Sequence, residues 1–154
     1  MPVPKVFDVI IVGGGIVGLA TAYKLQEKYP TLVLGVLEKE EKLAFHQTGR
    51  NSGVIHSGLY YRPGSYRANN CVSGRKQIVA FAKQYGIDHD ECGKIVVATH
   101  KEELPRLEKI RENGLKNGLE GLEIIDEKRI KEIEPYIEGI KALWVPEAGI
   151  IDFK

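Results

Sequence analysis

The chain has 154 residues, 43% apolar and 28% charged, a length for about one domain and a composition that excludes a disordered or fibrous protein. Its 22 basic and 21 acidic side chains leave a net charge of +1, which gives no electrostatic case for nucleic acid or for an anionic membrane surface. Two cysteines, Cys71 and Cys92, make no disulfide framework and have no partner at zinc-site spacing, so a reducing compartment and no metal site are expected.

Lys5 followed by the uncharged stretch Val9 to Tyr23 has the outline of an export signal. Asp8 at its start and the three glycines inside it argue against that reading, and the run is shorter than the ~20 residues of a membrane span. Neither an export signal nor a transmembrane segment is expected. Val6 to Val12 (VFDVIIV) reads as a strand buried on both faces of a parallel sheet. Ile16 to Glu27 reads as a helix with Val17, Ala20, Tyr23 and Leu25 inward, stopped by Pro30. Leu32 to Leu37 is a second strand ending at Glu38, which completes a βαβ unit.

Residues 39–74 are rich in Gly, Ser, Asn, His and Tyr and show little periodicity. An irregular stretch of that length is more often functional than idle. Arg75 to Tyr85 reads as a helix closed by Gly86, and Lys94 to Thr99 as a strand. A helix runs from about Lys101 to Asn117, with Thr99 and Glu102 as a capping box and Leu104, Leu107 and Ile110 inward. Leu122 to Ile125 is a strand, Asp126 caps a short helix to Glu134, and Lys141 to Val145 is a last strand. His89 and His100 sit in polar surroundings and read as surface residues; Cys71 and Cys92 read as small buried ones. The chain stops straight after the apolar run Gly149 to Ile151, which reads as a fragment of something longer.

The turn Gly13-x-Gly15-x-x-Gly18 follows a strand and opens a helix. In that context the first glycine makes the tight turn, the second admits a pyrophosphate close to the backbone, and the third lets helix and strand approach. The helix N-terminus offers unpaired N–H groups to the phosphates. Glu38 stands where an acid accepts from ribose hydroxyls, and its charge disfavours a 2′-phosphate, so NADP is not expected. FAD and NAD both remain open on this motif.

The segment from His46 to Arg67, HQTGRNSGVIHSGLYYRPGSYR, resembles the FAD-dependent oxidoreductases of the D-amino-acid oxidase superfamily. It is most similar to the branch that oxidises 2-hydroxy acids. CGKIVVAT (Cys92–Thr99), ELPRLE (Glu103–Glu108) and VPEAGIIDF (Val145–Phe153) carry the resemblance along nearly the whole chain. Arg50 departs from the branch, where His is more usual, and is similar to the sarcosine oxidases, where a His–Arg pair flanks the flavin.

The resemblance implies an α/β fold class: an N-terminal FAD-binding Rossmann-like βαβ unit with a flavin-contacting loop over 1–74, then over 75–154 a helical connection and the start of an α+β substrate domain. It implies FAD as cofactor and a small 2-hydroxy acid as substrate, L-2-hydroxyglutarate foremost. Amino acids, amines and glycerol 3-phosphate are the alternatives within the superfamily, and a non-catalytic dinucleotide-binding fragment is the alternative outside it. Relatives of about 400 residues imply that this chain alone is incomplete and inactive. Oxygen or a quinone as electron acceptor stays open. The location expected is cytoplasmic, with peripheral contact to an inner membrane left open.

Flavin oxidation of a hydroxy acid needs a base working near neutral pH, cations for carboxylates, and positive charge beside the reduced flavin. His56, in the glycine-flanked GVIHSG turn, is the candidate base or ring contact, since histidine titrates near neutrality. His46 and Arg50, at i and i+4, share a face if the loop holds a helical turn, and can compensate the flavin charge. Gly13, Gly15, Gly18, Glu38, Lys39, Thr48, Asn51 and Ser52 form the candidate cofactor set. Tyr60, Tyr61 and Arg62, with Arg67, are candidates for a carboxylate clamp, although Arg62-Pro63-Gly64 also reads as a plain surface turn.

Overall fold

The computed structural model describes residues 6–153. These divide into two compact units, residues 6–52 with 153, and residues 53–152.

The first unit is a βαβ. Strand β1 (Val9–Val12) and strand β2 (Leu34–Leu37) run parallel, with Val9 opposite Leu34 and Val12 opposite Leu37. Helix α1 (Ile16–Lys28) crosses between them. It packs through the half-buried Leu19, Ala22, Tyr23 and Leu25. Val17, 78% exposed, and Ala20 lie on the outer side, against expectation. A helix advances ~100° per residue, so Leu19, Ala22 and Tyr23 share a face that Val17 and Ala20 do not join. β1 alternates between half-buried Val9 and Ile11 and exposed Ile10 and Val12, so only one face of this ladder is covered, where cover on both faces was expected. Beyond β2 the chain makes a single 3-10 turn, Gln47–Gly49.

The second unit holds two antiparallel sheets. In one, strand β8 (Gly149–Ile151) lies between β3 (Val54–Ile55) and β4 (His89–Asp90). In the other, β7 (Lys141–Val145) lies between β5 (Lys94–Ala98) and β6 (Glu123–Asp126). Side chains alternate across a strand, and β7 shows it. Leu143 and Val145 pack with Leu59, Leu107, Leu119 and Leu122 on one face, the face taken by α3 (Leu104–Lys116). Ala142 and Trp144 pack with Ile125 and Ile130 on the other, the face taken by α4 (Glu127–Ile133).

Helix α2 (Tyr66–Tyr85) begins nine residues before the expected Arg75. Asn69, Asn70, Ser73 and Gly74 are poor helix formers, but Ala68, Val79 and Ala82 are buried along one side and tertiary packing decides. Position 74 therefore lies inside a continuous helix. Ser65 starts it: its hydroxyl accepts from the Ala68 amide at 3.2 Å. The Arg75 guanidinium, nearly buried, pairs with Glu147, whose other oxygen accepts from the Glu120 amide at 3.0 Å. The box before α3 uses Glu103 rather than Glu102: its Oε2 accepts from the Thr99 amide at 2.7 Å and the His100 amide at 3.3 Å. Cys92 is exposed and Cys71 half-buried, where both were expected inside. His89 is half-buried, its Nδ1 2.8 Å from the Ile87 carbonyl oxygen, and His100 is exposed.

Candidate functional site

In the first unit the chemistry collects where β1 ends and α1 begins. The Gly13 amide donates to the Leu37 carbonyl at 2.7 Å, tying the turn to β2. Gly13 has φ +107, a backbone conformation L side chains rarely adopt. A Cβ on Gly18 would drive into the Gly13 carbonyl oxygen, so Gly18 is what lets the helix start this close to the strand.

Glu38, the first residue after β2, reaches back across this turn. Its Oε2 accepts from the Gly14 amide at 2.7 Å and its Oε1 from the Glu40 amide at 3.0 Å. The Glu40 and Gly14 amides hold its carboxyl below the ordinary value of 4.5, with His46 adding a smaller pull. A carboxylate has about four acceptor positions, so this anchoring leaves capacity for further donors.

Thr48 caps α1 from a distance in sequence. Its Oγ1 accepts from the Ile16 amide at 2.9 Å. The amides of Val17 and Gly18 have no acceptor within the helix, as first-turn amides do not. Asn51 Nδ2 donates to the Thr48 carbonyl at 2.6 Å and so braces the same turn. Lys39 is exposed and lies 3.7 Å from Glu40. Ser52 is exposed.

His46 and Arg50 flank the 3-10 turn and meet at Phe45. The His46 ring sits edge-on to Phe45 at 5.4 Å, and the Arg50 guanidinium lies over it at 4.6 Å. His46 Nε2 is also 2.9 Å from Glu40 Oε1. The structure thus gives His46 and Arg50 one aromatic neighbour and places beside His46 an acid, Glu40, that sequence reasoning did not single out.

In the second unit, His56 follows β3. Its ring is exposed, and its carbonyl accepts from the Cys71 thiol at 3.3 Å. Ser57 is 1% exposed, and its hydroxyl has no partner among the described residues. Leu59 is in the core. Tyr60 and Tyr61 are exposed at 55% and 38%, and the Arg62 side chain is exposed. Arg62 to Ser65 is a type II turn: the Ser65 amide donates to the Arg62 carbonyl at 3.1 Å, Pro63 sits second, and Gly64 has φ +75. Arg67 is exposed on α2. Tyr60 faces a cation that sequence reasoning passed over, Lys94, whose Nζ is 4.6 Å from the ring centre. The turn is fastened from α3's end: Asn117 Nδ2 donates to the Gly58 and Tyr61 carbonyls at 3.0 Å each. Among the described residues no group of three or more His, Cys, Asp or Glu is placed to hold a metal ion.

A family model described as FAD dependent oxidoreductase matches residues 8–154. This chain belongs to that family. Membership decides for FAD between the two dinucleotides the glycine turn left open. The chain is 51% identical over 148 residues to the L-2-hydroxyglutarate dehydrogenase of Homo sapiens, described as mitochondrial, covering 96% of this chain and 32% of that protein. It is equally 51% identical over 148 residues to an L-2-hydroxyglutarate dehydrogenase of Indibacter alkaliphilus, covering 96% of this chain and 37% of that one. Among solved structures it is similar, with a TM-score of 0.85 at 29% identity, to dithionite-reduced L-alpha-glycerophosphate oxidase from Mycoplasma pneumoniae with FAD bound. That match covers 97% of this chain and 40% of the other. The chain thus spans well under half the length of the relatives it matches. No described helix of this family member is long and apolar enough to cross a membrane.

Proposed function

We propose that this chain is the dinucleotide-holding and first substrate-facing part of an FAD-dependent dehydrogenase that converts L-2-hydroxyglutarate to 2-oxoglutarate. The observation that carries the reading is the 51% identity, over 96% of the chain, to proteins of that activity. The geometry of the first unit supports it. Gly13 leaves open space at the turn, Gly15 lets Thr48 reach the start of α1, and Glu38 is held ionised beside the same turn. Those residues fit the adenosine diphosphate half of FAD, with Glu38 accepting from ribose hydroxyls and the first-turn amides donating to the pyrophosphate.

Bound FAD supplies the hydride acceptor. The chain's own share is to bind and to manage protons and charge. His56 takes the substrate hydroxyl proton at an imidazole nitrogen. His46 and Arg50 place positive charge around Phe45, with Thr48, Asn51, Ser52 and Lys39 shaping the cofactor side. Tyr60, Tyr61 and Arg62 serve the substrate carboxylates. On this reading residues 1–74 carry the cofactor unit and the loop that meets flavin and substrate, and residues 75–154 the helical connection and the beginning of the substrate domain. The expected cytoplasmic location gains no support: the Homo sapiens relative is described as mitochondrial and the bacterial one carries no location.

The test has two arms. The chain is mixed with FAD, desalted and scanned for oxidised flavin absorbance near about 450 nm; retained absorbance that is lost in Gly18→Val is expected. A chimera completed with the rest of the Indibacter relative is then given L-2-hydroxyglutarate or glycerol 3-phosphate without oxygen. Bleaching by the first and not the second is expected, and bleaching by glycerol 3-phosphate alone would reject the substrate.

A further inference from the structure

Lys94 opens β5 beside Tyr60, and its surroundings are unusual for an ammonium. It is half-buried, and no carboxylate among the described residues lies within the 4.0 Å of an ion pair. Its neighbours are the Tyr60 ring, with Nζ 4.6 Å from the centre, and Cys71. Burial pushes the Cys71 thiol up, so it is no counter-ion, and the thiol is already spent on the His56 carbonyl. Arg75 and Arg106 add positive charge around the same two residues. Glu147, just beyond the strand that pairs with Lys94, is held by Arg75 and the Glu120 amide.

A partly desolvated cation without a counter-charge is costly to hold and is repaid by an anion. This one is also built on rigid ground. Leu59, the residue before Tyr60, is 1% exposed in the core, and Asn117 ties Gly58 and Tyr61 on either side of it. Lys94 itself is fixed in the β5–β7 ladder opposite Val145. Burial raises the Tyr60 hydroxyl above its ordinary value, so it stays a protonated donor at neutral pH.

We infer that Lys94 and Tyr60 form a carboxylate-binding subsite in which the Lys94 ammonium takes the charge and the Tyr60 hydroxyl donates. The inference deepens the proposed 2-hydroxyglutarate reading and rests on it for the choice of a five-carbon dicarboxylate as ligand. It also accounts for why the segment after His56 needs to be fastened from α3: the donor must stand still beside the cation.

The chain is titrated with glutarate, a dicarboxylate with no hydroxyl to oxidise, while the Lys94 side chain and the Tyr60 ring are followed by NMR. A saturable shift of both is expected. Binding should weaken about tenfold or more in Lys94→Met, the order of a lost charged hydrogen bond, and stay within a few-fold in Lys94→Arg. Tyr60→Leu should also weaken it. Trp144 resonances, on the next strand, report whether each variant keeps its fold. Three results would each overturn the subsite: no glutarate-dependent shift, equal binding by Lys94→Met and the parent, or equal displacement by sulfate. The substrate reading fails separately. A chain that binds glutarate through Lys94, in a chimera that never bleaches with L-2-hydroxyglutarate, keeps the subsite and loses the substrate.

Discussion

Glu38 is held by the backbone of its own loop and of the glycine turn, and that makes its charge a structural element. Its carboxyl is lowered, first by the Glu40 amide and then by Gly14. Ionisation is therefore easier in the folded chain than in the unfolded one. The stability it contributes is complete above 4.5, the ordinary value, and is lost as pH falls from there through the lower folded value. Glu91 and Glu103 are lowered too, so the parent loses stability on that acid limb for three reasons. Glu38→Gln should flatten the part of the limb due to Glu38 and leave the rest, read from melts at stepped pH; an unchanged limb would show that the Gly14 and Glu40 bonds do not hold in solution. Thr48→Val tests the neighbouring cap. It keeps the shape, removes the acceptor for the Ile16 amide, and should cost about 1 kcal/mol of local stability around α1. The glycine turn and Glu38 were legible because their spacing is dictated by dinucleotide geometry. Gly14, Glu40 and Ala44 were not. Gly14 looks like filler between two functional glycines, yet its amide binds Glu38 and its carbonyl accepts from Ala44 at 2.9 Å. Ala44 has φ +57, a conformation no sequence signal announces for alanine.

At the scale of elements, α2 shows why local propensity reached only part of the fold. The stretch from Tyr66 to Gly74 carries two asparagines, a serine and a glycine and looks like loop. It is helix because Ser65 caps it and Ala68 is buried. Ser65→Ala should therefore destabilise the second unit by about 1 kcal/mol, measured by urea unfolding. The Arg75–Glu147 pair joins α2 to the turn after β7 and is nearly buried, at 11% and 19% side-chain exposure. Removing one partner strands the other, so Glu147→Ala should cost about 3 kcal/mol, and Arg75→Met with Glu147→Leu together should cost less than the single change. Equal losses in the single and double variants would mean that packing, and not the stranded charge, sets the cost. Strands β3 and β4, two residues each, have no periodicity to read; they exist because β8 lies between them. Lys94 escaped notice for a related reason, since one lysine at the head of an apolar strand carries no pattern until Tyr60 is seen beside it.

Across the whole chain, apolar burial is divided unequally. Every fully buried apolar side chain among the described residues lies between Ile55 and Ile151, in the second unit. The first unit has a two-stranded parallel ladder and one helix with no buried residue, while Ile10, Val12, Val17 and Leu37 stay exposed. A two-stranded ladder is at best marginally stable in water, and stability within one chain follows local burial. The amides of β5 and β7 should thus exchange with solvent only when the second unit unfolds as a whole, and those of β1 and β2 at much lower opening free energy. Saturating FAD should close that gap from one side. A ligand that binds only the folded first unit stabilises it by about 2.7 kcal/mol at a hundred times its dissociation constant, so β1, β2 and α1 should slow by about a hundredfold while β5 and β7 do not change. Hydrogen exchange with and without FAD reads both regions in one experiment. Protection gained evenly over the chain would mean the flavin is not held by the glycine turn, and uniform protection before FAD is added would mean the exposed apolar face of β1 is already covered by another surface.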